Sequence, residues 1–202
     1  EPLSSDLTNG GIEGDVPFGT ATTLVESPMK FGLIYFGTDD GNIHVSKDAG
    51  YTWTKINGSL PKAVQGLYVS RVAPSAFKEG RVYISLNGYR NDHFGAYLFL
   101  SEDYGTTWTQ MGTDLPMEPI NVVTEDPKKE SVIYVGTDNG LYASFNMGKS
   151  FLTLDNSLPR VPVHDIAVQQ RENELVIGTH GRSIYITKLK EIQKLYDKLT
   201  GK

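Results

Sequence analysis

One eight-residue pattern, S-x-[DN]-x-G-x-[TS]-[WF], recurs in this chain of 202 residues. A chain built on such a repeat folds into copies of one small unit set side by side. The first copy carries Ser46, Asp48, Gly50, Thr52 and Trp53, and the second Ser101, Asp103, Gly105, Thr107 and Trp108. A third, worn copy keeps Ser144, Asn146, Gly148, Ser150 and Phe151. Each residue type suits a β-hairpin connection. Asp or Asn turns back on nearby backbone amides, Gly supplies a positive φ, and the hydroxyl residue closes the turn. The aromatic then opens the next strand and packs inward.

More than the turn recurs. Ahead of it stand β-branched and aromatic runs that end in a Gly-rich loop: Leu33 to Gly41, Val82 to Gly88 and Val132 to Gly140. Leu175 to Gly181 is a fourth run of the same kind. Behind the turn come Ile56 to Pro61, Met111 to Pro116 and Leu154 to Pro159, each ending in Leu-Pro. The spacing is 55 residues from Trp53 to Trp108, 43 from Trp108 to Phe151 and 42 from Gly136 to Gly178. Four short strands in roughly 40 to 50 residues is the pattern of a β-propeller blade. The expected fold is therefore all-β, a propeller of four-stranded antiparallel blades.

With strands lettered A (innermost) to D, blade 1 is expected over residues 20–66, blade 2 over 67–118 and blade 3 over 119–162. An incomplete blade 4 follows at 163–187, without the turn motif and without a D strand. Residues 188–202 take its place, with Leu189, Ile192, Leu195 and Leu199 at helical spacing, so a short amphipathic helix should pack on the last blade. Residues 1–19 read as the tail of a preceding blade and a linker, because Leu3 and Leu7 align with Met111 and Leu115. The expectation is the C-terminal part of a longer propeller. Its partners would be the remaining blades, or another chain pairing with open blade edges. Residues 1–4 could add only a stub to the fourth blade if the ring closes.

Composition narrows the partners. A net charge of −5 and the absence of any basic run argue against nucleic acid or an anionic membrane surface. With no cysteine, disulfides, thiol catalysis and thiolate metal sites are excluded. No apolar run approaches the length of a bilayer span. No phosphate-binding Gly loop, serine or cysteine triad, or Asp-x-Asp-x-Asp calcium loop is present, and no cofactor is expected.

The repeated turn resembles the Asp-box, or BNR, repeat of sialidases, endoxyloglucanases and sortilin-type (Vps10) receptors. The chain as a whole is similar to the C-terminal part of bacterial exported BNR-repeat proteins of the Vps10-like kind, often labelled glycosyl hydrolases. The stretches that carry this likeness are 14–20, 86–92, 161–165 and 178–183. The resemblance implies an extracytoplasmic location and a carbohydrate or protein ligand. It also implies that the Asp-box residues are structural, since in such enzymes they lie on the rim away from the active site.

Function is then expected on the opposite face, around the channel mouth, where B-to-C and D-to-A loops meet the starts of the inner strands. Aligning the A strands puts Thr23, Arg71, Asn121 and Asp165 at one equivalent position. Asp39, Asp40, Arg90, Asn91, Asp92, His93, Asp138, Asn139, His180 and Arg182 would surround them from the loops. The insertion from Asn87 to Gly95 reads as a long loop, and loops on a rigid scaffold are where function concentrates. Glycoside hydrolysis is the alternative, with its catalytic residues partly in blades outside this chain. It needs two carboxyl groups roughly 5 to 10 Å apart, and Asp39, Asp92, Asp138 and Asp165 are the candidates. His164, Asp165 and His180 have the right chemistry for a metal but lack tight ligand spacing, so no metal site is expected.

Overall fold

The computed structural model describes residues 4–10, 12–13, 16–154 and 158–201. Leu3, Gly14, Asp15 and residues 155–157 lie outside them, as does the side chain of Leu199. A small two-stranded ladder, β1 (Ile12–Glu13) with β2 (Val16–Pro17), precedes four antiparallel sheets. The first contains β3 (Ala21–Glu26), β4 (Ile34–Thr38), β5 (Ile43–Ser46) and β6 (Thr54–Lys55). The second contains β7 (Tyr68–Pro74), β8 (Val82–Gly88), β9 (His93–Ser101) and β10 (Thr109–Met111). The third contains β11 (Ile120–Glu125), β12 (Ile133–Thr137), β13 (Gly140–Ser144) and β14 (Leu152–Thr153). The fourth has three strands, β15 (Val163–Gln169), β16 (Glu174–Thr179) and β17 (Ile184–Lys188), and helix α1 (Leu189–Thr200) follows it.

Each sheet is a meander in chain order, and the first strands pack in sequence, β3 on β7, β7 on β11 and β11 on β15. Among the described residues no comparable packing joins β15 to β3. The fold is a partial β-propeller, four blades fanned about their inner strands.

The core is a series of junctions between blades. Tyr35, Ile43 and Val45 of the first blade meet Val69 and Val72 of the second. Tyr83 and Leu98 meet Ile120 and Val123, and Tyr134, Leu141 and Ala143 meet Val163 and Ile166. Each blade thus has a trailing face that covers the leading face of its successor. Burying one such aliphatic side chain stabilises the fold by about 1.5–3 kcal/mol. Close approach is built in by glycine: a Cβ on Gly37 would stand 2.6 Å from Val69 Cγ1, and one on Gly136 2.6 Å from Val163 Cγ1.

The three copies of the repeated turn share one geometry. Ser46 Oγ accepts the Gly50 amide at 2.8 Å and donates to Asp48 Oδ1 at 2.8 Å. Asp48 in turn accepts the Thr52 amide at 2.8 Å and the Thr52 hydroxyl at 2.6 Å. Ser101, Asp103, Gly105 and Thr107 repeat this set. In the third copy Asn146 Oδ1 accepts the Ser150 amide, while its Nδ2 donates to Ser150 Oγ, reversing the bond a carboxylate would accept. Two residues in each turn take positive φ, Ala49 with Gly50, Tyr104 with Gly105 and Met147 with Gly148, one more than the glycine alone suggested. Trp108 Nε1 donates to the Ile56 carbonyl of the preceding blade at 2.8 Å, so the aromatic ties neighbouring blades together.

Four expectations need correction. Every inner strand carries a one-residue bulge at the same place, between Ala21 and Thr23, Val69 and Arg71, Ile120 and Val122, and Val163 and Asp165. The bulged residues are Thr22, Ser70, Asn121 and His164, so Asn121 aligns with Ser70 and not with Arg71. The insertion is mostly strand: β8 and β9 lengthen into a longer hairpin, closed by a single 3-10 turn at Tyr89–Asn91 with Asp92 left-handed at its end. In α1 the buried face is Leu189, Ile192 and Tyr196, while Leu195 is 37% exposed, because tyrosine can bury its ring and keep its hydroxyl at the rim. Finally, residues 4–7 lie beside His44, Tyr51 and Trp53 of the first blade, and among the described residues no N-terminal strand joins the fourth.

Candidate functional site

The bulges organise the mouth of the fan. An extra residue at the start of an inner strand re-aims its side chain out of the inter-blade packing. Thr22, Ser70, Asn121 and His164 accordingly all line one cavity of about 720 Å³. The residues at the ends of the second strands, Asn87, Asp138 and His180, line it too, with Tyr68, Arg71, Tyr89, Arg90 and Pro162.

Around this cavity the four equivalent positions do three different things. Thr22 Oγ1 donates to the Val69 carbonyl at 2.6 Å, and Ser70 Oγ to the Ile120 carbonyl at 2.6 Å, so two bulges stitch adjacent inner strands. Asn121 makes a side-chain chain instead, accepting from Asn87 Nδ2 at 3.0 Å and donating to Asp138 Oδ1 at 2.9 Å. His164 faces His180, ring centroids 5.4 Å apart. Arg71 spans from the second blade to Asp165 of the fourth and forms an ion pair with it across the mouth. Its Nε is buried without a partner among the described residues. The Asp165 Oδ1 that meets Arg71 also accepts its own strand's Ile166 amide.

The apolar side of the cavity comes from the hairpin extension. Tyr89 is 61% exposed and meets Phe94 edge to face at 5.8 Å, and Arg90 lies over the Tyr68 ring at 5.5 Å. The Asn87 side chain accepts the Tyr89 amide at 2.9 Å, which fixes the turn from below.

The residues expected from sequence separate into those gathered here and those employed elsewhere. Arg71, Asn121, Asp138, Arg90 and His180 line the cavity, and Asp165 joins it through Arg71. Asp39 occupies the strand-end position of Asn87, Asp138 and His180, yet it is buried and bonds the Gly19 and Thr20 amides and the Thr20 hydroxyl. Burial opposes its charge, but the bonds from Thr20 and Gly19 outweigh it and hold its carboxyl below the ordinary range. Asp40 is likewise engaged, by Asn9, Thr38 and Asn42. Asp92, His93 and Arg182 are exposed and do not line the cavity, and His93 sits beside Tyr97. Thr22, Ser70 and Tyr68 were not expected at the mouth, while Tyr89 was expected only as part of the insertion and His164 only as a candidate metal ligand. The only cue was polar residues at the start of each A strand, and a bulge leaves no mark in the spacing.

Among the described residues no three His, Asp or Glu side chains gather as a metal site. Nor is there a helix long and apolar enough to cross a membrane. The carboxyls whose titration departs from the ordinary range, Asp6, Asp39, Asp48, Glu79, Glu102 and Asp103, are all lowered.

The fold is similar to that of known proteins. The chain is 30% identical over 177 residues to an oligoxyloglucan reducing end-specific xyloglucanase of Neosartorya fischeri, covering 80% of this chain and 20% of the relative. No family model matches it. Among solved structures, the GH74 xyloglucanase from Xanthomonas campestris superposes with a TM-score of 0.62 at 20% identity, over 83% of this chain and 28% of that one. The extracellular domain assigned to a hybrid two component system of B. thetaiotaomicron gives a TM-score of 0.62 at 17% identity, over 86% and 21%. The fold is shared. The chain spans about a fifth of the curated relative's length.

Proposed function

We propose that the mouth cavity is a carbohydrate-binding site and that the chain serves as an extracytoplasmic recognition module. The observation that carries this reading is the convergence of four bulged residues and three strand-end side chains on one cavity that also has an exposed aromatic wall. A sugar ring presents hydroxyl groups around its rim and C–H groups on its faces. Asn87, Asn121, Asp138 and His180 offer planar donors and acceptors for the rim, and Tyr89 offers a stacking face. Such a mix of a few placed polar groups with aromatic surface is typical of small-ligand sites. Likeness to a xyloglucanase and to an extracellular domain supports a polysaccharide as ligand and a place outside the cytoplasm.

Binding is preferred over hydrolysis for a specific reason. A general acid requires a carboxyl kept protonated by its surroundings, whereas Asp165 is paired with Arg71 and Asp138 accepts from Asn121. Any hydrolytic carboxyl pair would need a partner from blades beyond these residues.

The test is thermal unfolding of the chain with a panel of oligosaccharides: xyloglucan fragments, cello-oligosaccharides and acidic sugars. A ligand that prefers the folded state raises its stability by mass action. One sugar class should raise Tm in the native chain and fail to do so in Tyr89→Ala. No shift with any class would refute the reading.

A further inference from the structure

We infer, resting on the carbohydrate reading of this site, that the sugar taken by the mouth is acidic: its carboxylate displaces Asp165 from Arg71 and is steadied by Arg90. One strand position carries opposite charges in two blades. Thr23, Arg71, Val122 and Asp165 each follow the bulge and stand opposite Gly37, Ser85, Gly136 and Gly178 in register. In the first and third blades this is a packing position, with Thr23 9% and Val122 1% exposed. The scaffold therefore needs no charge there. The second and fourth blades nevertheless supply an arginine and an aspartate, which meet across the mouth.

That pair is incompletely made. A carboxylate fills an arginine edge by accepting one hydrogen bond from each of its two donors. Asp165 accepts from Nη2 alone, and Nε, the other donor on that edge, is buried without a partner among the described residues. The oxygen that meets Arg71 is shared with the Ile166 amide of its own strand. The Asp165 side chain is also 64% exposed, and ion pairs so open to solvent are weak. Once released, Asp165 would keep the Ile166 amide and gain water. A carboxylate brought by a ligand can thus take its place and complete the fork.

The surrounding charges favour an anion. Arg90 lines the cavity, lies over the Tyr68 ring and has no ion pair among the described residues. Asp138, the carboxylate of the lining, is occupied with Asn121. With Asp165 swung away, two arginines face one carboxylate, in a chain whose net charge is −5. From the fourth blade His164 and His180 face each other and make no side-chain hydrogen bond among the described residues, which leaves their ring nitrogens for the ligand. Tyr89, next to Arg90, gives a sugar ring its stacking face beside the charge.

Calorimetric titration with oligogalacturonate and oligoglucuronate tests this, each against its methyl ester, which keeps the rings and their hydroxyls and loses the charge. A xyloglucan oligosaccharide is titrated alongside. One acid should bind about tenfold or more tightly than its ester, with the preference falling as salt is raised. Arg71→Gln and Arg90→Gln should each bring the ratio of acid to ester affinity toward one, and Arg71→Lys, which keeps the charge without the fork, should recover only part of it. Arg90 is exposed, so its variant serves should Arg71→Gln misfold, and near-UV circular dichroism checks each fold. Asp165→Asn removes the competing carboxylate, so the acid should bind more tightly than it does to the native chain. An ester that binds as well as its acid, an Asp165→Asn chain that holds the acid more weakly, or binding of the xyloglucan fragment alone would overturn the inference and leave carbohydrate binding standing. No heat from any of these sugars, with no shift in Tm from the wider panel, would overturn both.

Discussion

The two faces of this propeller differ in how faithfully they repeat. On one face the S-x-[DN]-x-G-x-[TS]-[WF] turn keeps its geometry in three blades: the Ser hydroxyl accepts the glycine amide at 2.8 Å each time, and only the Asn146 to Ser150 side-chain bond runs the other way. On the other, the bulge recurs but its occupant does not: Thr22 and Ser70 both bond the next blade's inner strand, whereas Asn121 bonds Asn87 and Asp138, and His164 faces His180. A position that keeps its geometry and its residue serves the scaffold. A position that keeps its geometry and varies its residue is free to serve a ligand.

Substitutions can break this contrast in order of effect. Ser101→Ala removes the acceptor of the buried Gly105 amide and should cost about 1–3 kcal/mol in urea unfolding, with sugar binding unchanged in the folded fraction. Gly136→Ala should cost a similar amount, about 1–3 kcal/mol, by forcing Val163 away, whereas Gly178→Ala, with nothing closer than 3.6 Å, should change stability by less than about 0.5 kcal/mol. Asp165→Asn breaks an ion pair that is largely open to solvent, so the loss should stay within about 1 kcal/mol while sugar affinity changes.

Acid should act on the repeated-turn face. Asp48 is held below the ordinary carboxyl range by the Thr52 hydroxyl and amide, and Asp103 by the Thr107 amide and hydroxyl. Groups with lowered folded values bind protons more readily when unfolded, so their contribution is complete above the ordinary carboxyl range of about 3.9 and is lost as pH falls below it. Urea midpoints should therefore hold steady from neutral pH down to that range and drop beneath it. In Asp48→Asn the drop should be shallower.

Much of this architecture was legible because repetition exposes it. The blade count, the turn and the terminal helix all follow from residues that recur at a fixed interval. What was not legible depends on single-residue geometry or on curvature. A bulge adds one residue without disturbing the pattern, so Asn121 aligned with Arg71 when it belongs with Ser70. The Arg71 to Asp165 pair depends on how sharply three blades fan, which no strand pattern encodes. Asp39 has the same residue type and the same strand-end position as Asp138, but it is claimed by the Gly19 and Thr20 amides of the approaching segment.

The most direct test of the division between the faces is calorimetric titration of the sugar class that raises Tm into three proteins: the native chain, Asn121→Ala and Asp48→Ala. The account predicts heat of binding in the native chain, equal affinity in Asp48→Ala, and a loss of about tenfold or more in Asn121→Ala, equivalent to about 1.4 kcal/mol. Undiminished affinity in Asn121→Ala, or an equal loss in both variants, would contradict it.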